Sequence, residues 1–103
     1  MNARESRRRV IRQLCAVIRP RLTVATFNAD GCVWRRGRTA RVPLWTYPVR
    51  ARSGGITRSG FTDRGRWIRS GFGGRVKPWS AYTVDELRDL LIEARAMARE
   101  NLR

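Results

Sequence analysis

Pro43, Pro48 and Pro78, with glycines at 54, 55, 60, 65, 71, 73 and 74, interrupt every apolar run in the middle of this 103-residue chain. Proline removes a backbone donor and clashes with the preceding helical turn, and glycine loses the most backbone entropy on ordering, so neither is tolerated inside a helix. Residues 43–78 are therefore left with short strands and turns. Any long helix has to sit at one of the two ends of the chain.

Both ends carry one. Val10, Ile11, Leu14, Val17 and Ile18 recur at helical spacing within residues 3–19, and Pro20 closes the pattern. Segment 1–20 is thus predicted as an amphipathic basic helix, with Arg8, Arg12 and Arg19 forming a ridge opposite the apolar stripe. At the other end Thr83 and Glu86 make a capping box. Val84, Leu87, Leu90, Leu91, Ala94, Met97, Ala98 and Leu102 follow as a wide apolar stripe, so 83–103 is predicted as a helix that packs on the core. Its opposite face is expected to line up Asp85, Asp89, Glu93 and Glu100, with Arg88, Arg95 and Arg99 on a separate edge. These four carboxylates are the candidate protein-contact residues.

Between the helices, residues 21–79 read as an Arg-, Gly- and aromatic-rich β region. Asp30-Gly31 between Leu22–Phe27 and Cys32–Trp34 is a strong hairpin signal. It predicts Phe27 opposite Trp34, Ala25 opposite Arg36 and Thr23 opposite Arg38, with the second strand running on towards Val42 through a bulge at Gly37. Further strands are expected at Leu44–Tyr47, Val49–Arg52, Ile56–Phe61 and Arg66–Phe72, with turns at Ser53-Gly54-Gly55 and Asp63-Arg64-Gly65. Arg58-Ser59-Gly60-Phe61 returns as Arg69-Ser70-Gly71-Phe72. The echo suggests two matching strands around a turn at Thr62–Gly65. The expected fold class is α+β: an N-terminal helix, a small antiparallel sheet of three to five short strands, and a C-terminal helix packed on that sheet. Residues 1–103 are read as a single basic domain with both helices on one sheet face and the arginines on the other.

Charge indicates what such a domain would meet. Lys and Arg number 23 against 8 Asp and Glu, a net charge of +15. The chain has no His, which removes imidazole bases, His metal ligands and Ser-His or Cys-His nucleophile pairs. Cys15 and Cys32 lack the spacing of a zinc site. Cys15 is expected to pack as a small hydrophobe beside the ridge. Carboxylates outside the last helix are only Glu5, Asp30 and Asp63, too few for two-metal hydrolysis, so the chain is expected to be no enzyme and to hold neither metal nor cofactor.

Residues 34–77 hold twelve basic side chains against one acid, interleaved with Trp34, Trp45, Tyr47, Phe61, Trp67 and Phe72. These types suit DNA or RNA: guanidinium groups neutralise phosphates, and aromatic faces stack on bases unless the sheet core takes them. Candidate contacts are Arg8, Arg12, Arg19, Arg35, Arg36, Arg38, Arg41, Arg50, Arg52, Arg66, Arg69, Arg75 and Lys77. Gly71-Phe72-Gly73-Gly74-Arg75 reads as a flexible turn that could cradle a phosphate. The expected function is non-catalytic nucleic-acid binding in the cytoplasm of a bacterial or bacteriophage-infected cell, the origin resting on size and arginine bias. The alternative is an inhibitor, adaptor or virion component docking on an acidic protein, and self-association is open to either. No run of about 18 apolar residues is present, so no transmembrane segment is expected.

Overall fold

A computed structural model describes residues 2–25, 33–35, 38–40, 42–70 and 73–100, those between 24 and 42 and between 69 and 74 by their backbone alone. The Asn2 side chain accepts the Glu5 N–H at 2.9 Å and so satisfies a free donor at the start of α1, Ala3–Ile18. Of the predicted stripe Val10, Leu14 and Ile18 are buried and Ile11 and Val17 partly buried, and Cys15 is buried with them. Pro20 falls in a 3-10 turn, Arg19–Arg21, that delivers the chain to β1, Thr23–Ala25.

Six more strands follow: β2 Val33–Arg35, β3 Arg38–Ala40, β4 Val42–Arg50, β5 Ile56–Phe61, β6 Gly65–Ser70 and β7 Gly73–Pro78. A 3-10 turn at Trp79–Ala81 then leads into α2, Val84–Glu100. The centre of the sheet is an antiparallel meander of four strands, β4 to β7. β1 joins the free edge of β4, and the β2–β3 pair joins β7 through a parallel bridge, Val33 to Gly74, giving the order β1-β4-β5-β6-β7-β2-β3. The α+β architecture of two terminal helices and a small sheet is as the sequence predicts.

Several strand partners differ from expectation. Thr23 and Ala25 face Leu44 and Val42 in β4, not Arg38 and Arg36. The stretch expected to continue from Trp34 to Val42 is instead divided into β2 and β3, which pair with each other with Arg35 opposite Arg38. Asp30, Gly31 and Gly37 lie outside the described residues. An Asp-Gly pair marks only where a chain can reverse; which strands then meet is decided by the free sheet edge at Val42–Leu44, where β5 does not reach.

The two strands expected on either side of Pro48 are one strand of nine residues. Pro43 is opposite Val24 of β1 at a level where β5 is not paired, and Pro48 is opposite Arg58 of β5 beyond the end of β1. Each proline thus occupies a one-sided stretch of strand, where a missing donor is tolerated. β6 spans Gly65–Ser70, with Gly71 and Phe72 of the expected strand outside the described residues, and Gly73–Arg75, read as part of a turn, belong to β7.

The hairpin has the expected turn, while Gly71 and Phe72 of the echo lie outside the described residues. β5 and β6 are antiparallel with Phe61 opposite Arg66, around Thr62–Gly65. In that turn Thr62 Oγ1 accepts the N–H groups of Arg64 and Gly65 at 3.1 and 3.0 Å. A Cβ on Gly65 would stand 2.1 Å from the Lys77 carbonyl oxygen, so only glycine lets β6 and β7 meet there.

Both helices cover one face of the sheet, where Trp45, Tyr47 and Phe61 pack with Leu14, Ile18 and Leu87. The Phe61 ring centroid lies 5.8 Å from that of Trp45 and 6.4 Å from that of Trp79, within the range of favourable aromatic pairs. Leu44 and Trp67, on the alternating positions of the other face, are only 1% exposed. That second face is therefore not the purely basic, solvated surface expected.

Candidate nucleic-acid interface

Arg66 decides how the basic residues divide. It is the register partner of Phe61 and so projects under the helices. There it forms a two-pronged ion pair with Glu93 of α2, one bond of 2.9 Å and one shorter, and it bonds Ser59 Oγ. Its guanidinium carbon lies 4.9 Å from the Phe61 ring centroid. The Tyr47 hydroxyl donates to the same Glu93 carboxylate at 2.9 Å. Burial, and then the Glu93 charge beside it, push the Tyr47 phenol far above its usual range. Burial lowers the Arg66 value, but the Glu93 hydrogen bond and charge more than compensate and raise it. Arg66 and Glu93 were expected on outer faces; they are partners inside, and neither is free for an external ligand.

Other arginines are also structural. Arg7 donates to the carbonyls of Trp79 and Tyr82 at 3.3 and 2.6 Å, tying α1 to the turn before α2. Arg21 donates to the Val17 carbonyl at 2.7 Å and covers the Trp45 ring at 5.7 Å. Lys77 is opposite Arg66, with Nζ 4.4 Å from the Tyr82 ring centroid. Strand alternation puts Arg75 on this same helix-facing side, although its side chain is exposed. Arg66, Arg75 and Lys77 therefore do not belong to the opposite face, as they were expected to.

The ridge on α1 survives. Arg8, Arg12 and Arg19 are exposed, and Arg4, one turn before Arg8, extends the line. Among the described residues none of these four makes an ion pair. Arg4 was missed although the same 3.6-residue period locates it. Cys15, beside the ridge, is 7% exposed, with Sγ 3.4 Å from the Asp63 carbonyl. Burial raises its thiol pKa against the opposing pull of Arg19, so it packs as the small hydrophobe expected.

Arg50 and Arg52 are exposed at the β4–β5 end, and Arg58 crosses Thr46, bonding its Oγ1 at 2.9 Å. Arg64 is exposed on the Thr62–Gly65 turn, which the Asp63 carbonyl fastens both to Cys15 and to Trp79 Nε1. Sequence reading left out Arg58 and Arg64. Arg35, Arg38 and Arg69 have backbone places in β2, β3 and β6, whereas Arg36 and Arg41 lie outside the described residues.

The aromatic side chains Trp45, Tyr47, Phe61, Trp67 and Trp79 are all buried, so they serve the core and offer no face to a base. Gly73 and Gly74 are paired strand residues opposite Ser70 and Arg69; Gly71 and Phe72, the other part of the expected cradle, lie outside the described residues. On α2, Asp85 pairs with Arg88 at 3.2 Å, and Asp89 and Glu100 are exposed. Among the described residues no group of three or more His, Cys, Asp or Glu side chains could hold a metal ion, and no helix is long and apolar enough to cross a membrane. Comparison with protein-family models, curated proteins and solved structures finds no match to this chain.

Proposed function

We propose that this chain is a non-catalytic nucleic-acid-binding protein that grips the phosphate backbone without reading base sequence. One observation carries the reading: Arg4, Arg8, Arg12 and Arg19 stand exposed along one side of α1 with no carboxylate partner among the described residues. From Arg4 to Arg19 is about 22 Å of helix. Duplex DNA carries a charge every ~1.7 Å of axis, so phosphates can meet the ridge along its whole length. Arg64, beside α1, and Arg50 and Arg52, on the hairpin end, add to the attraction at longer range. Burial of five aromatics favours phosphate tracking over base stacking.

The test is binding of the whole chain to duplex and single-stranded probes of arbitrary sequence by fluorescence anisotropy. Affinity is expected to fall at least 100-fold between about 50 and 200 mM salt, and to be similar for unrelated sequences. Undetectable binding at low salt would refute it. The alternative, docking on an acidic protein, is favoured by Ile56, 79% exposed opposite Arg50 at the β4–β5 end. It predicts instead that Ile56→Ser weakens capture of the partner and leaves probe binding unaltered.

A further inference from the structure

β4 and β5 run on together past the rest of the sheet. β1 stops opposite Leu44, and β6 pairs with β5 only at Gly60 and Phe61, so the ribbon from Pro48 to Arg58 has no strand on either edge among the described residues. Its own two strands stay in register, Pro48 opposite Arg58, Val49 opposite Thr57 and Arg50 opposite Ile56. The tip is tightly closed: the Gly54 N–H donates to the Ala51 carbonyl at 3.0 Å, and the Ala51 N–H to the Gly55 carbonyl at 2.7 Å. Gly54, at φ 86°, supplies the left-handed residue that such a tip needs. The result is an arm two strands wide and, from Pro48 to Arg52, about 13 Å long.

Charge and shape together select what the arm meets. Arg50, Arg52 and Arg58 are its charges, and no acid falls between Val42 and Thr62. By strand alternation Arg50, Ile56 and Arg58 share the face turned away from the helices, and Ile56 is 79% exposed there. A narrow, acid-free rod with an aliphatic side chain beside arginines suits a groove with phosphate walls and base edges on its floor. The major groove of B-form DNA, about 12 Å wide, admits a two-stranded ribbon, whereas the minor groove, about 6 Å wide, does not without deformation. In an RNA duplex the major groove is too deep and narrow for side chains to read.

We propose that the β4–β5 arm enters the major groove of B-form duplex DNA, with Arg50 and Arg52 meeting the phosphates of its walls and Ile56 its floor. Arg58, bonded to Thr46 at 2.9 Å, braces the base of the arm. Ile56 has no donor or acceptor, so its contact with base edges is apolar, as with a thymine methyl group. The proposal rests on the nucleic-acid reading above and selects duplex DNA among the ligands that reading allows. It adds a contact separate from the α1 ridge, since α1 packs on the other sheet face.

Anisotropy titrations of the full chain with duplex DNA, duplex RNA and single-stranded DNA of one sequence, at about 0.1 M salt, test it. Duplex DNA should bind at least roughly tenfold more tightly than duplex RNA. Arg50→Ala with Ile56→Ser, both at exposed positions, should bring the two duplexes level, while Arg8→Ala with Arg12→Ala should weaken both alike and keep their ratio. Dimethyl sulfate should methylate guanine N7, in the major groove, less in the complex than in free DNA, and adenine N3, in the minor groove, equally in both. The arm variant should abolish that protection, with thermal melting to confirm that it stays folded. Equal affinity for the two duplexes, or guanine N7 methylation that the wild-type chain does not alter, overturns the proposal and leaves phosphate binding standing. So does a folded arm variant that keeps the preference, which is the result an acidic protein partner for Ile56 predicts. Absence of binding to every probe overturns both readings.

Discussion

Arg66 and Arg12 are the same residue type in very different roles. The first is screened by α2 and holds Glu93, Ser59 and the Phe61 ring, while the second faces solvent without an ion pair among the described residues. Removing one member of a half-buried pair leaves the other desolvated and unpaired. Arg66→Ala should therefore cost about 2 kcal/mol of stability, read in a urea unfolding curve, yet leave probe binding by the folded chain unaltered. Arg12→Ala should do the reverse, with stability within about 0.5 kcal/mol of wild type and weaker binding. Tyr47 adds a pH dependence of definite sign. Its phenol ionises at a higher pH in the folded chain than in the unfolded one, so its contribution is complete below the usual phenol range near 10 and is lost as pH rises above it. Cys15 and Tyr82, both raised by burial, act in the same direction. Thermal melts from pH 7 to about 11 should show a fall at the alkaline end that is shallower in Tyr47→Phe.

At the scale of elements, the ends of the chain were legible and the middle only in part, through β5 and the hairpin around Thr62–Gly65. A helix declares itself through a local period, so Pro20, the Thr83–Glu86 box and the apolar stripes placed α1 and α2 almost to the residue. The box is made as expected, with Glu86 N–H donating to Thr83 Oγ1 at 3.1 Å and Thr83 N–H to Glu86 Oε1 at 2.9 Å. Thr83→Ala should cost about 1 kcal/mol, measured by chemical unfolding. Strand partnership is not local. Pro48 looked like a break because the sequence does not disclose that β4 has one neighbour at that level. Glu93 was placed outside because a helical wheel gives its angle but not the position of Arg66, 27 residues away. Gly65 looked like simple turn chemistry, whereas its missing Cβ is what admits the Lys77 carbonyl. Gly65→Ala should consequently cost about 2 kcal/mol, well beyond the effect of alanine in an open turn, as thermal unfolding can show.

For the molecule as a whole, the net charge of +15 is not spread evenly between structure and surface. Arg7, Arg21 and Arg66 hold the fold together from within, and the ridge cations of α1, without an ion pair among the described residues, remain as a line. The composition made an anionic partner the natural expectation, and the ridge was visible in the helical period. That the sheet would take Arg66 inward was not, because alternation along a strand leaves open which face the helices will cover. The central claim, that the α1 ridge is the phosphate contact, is tested most directly by the slope of log affinity against log salt for a duplex probe. Replacing Arg4, Arg8 and Arg12 together with Ala should lower that slope by about 2 to 3 if each arginine neutralises one phosphate, while Arg66→Ala leaves it unchanged. An identical slope in the triple variant and the wild type would contradict the account.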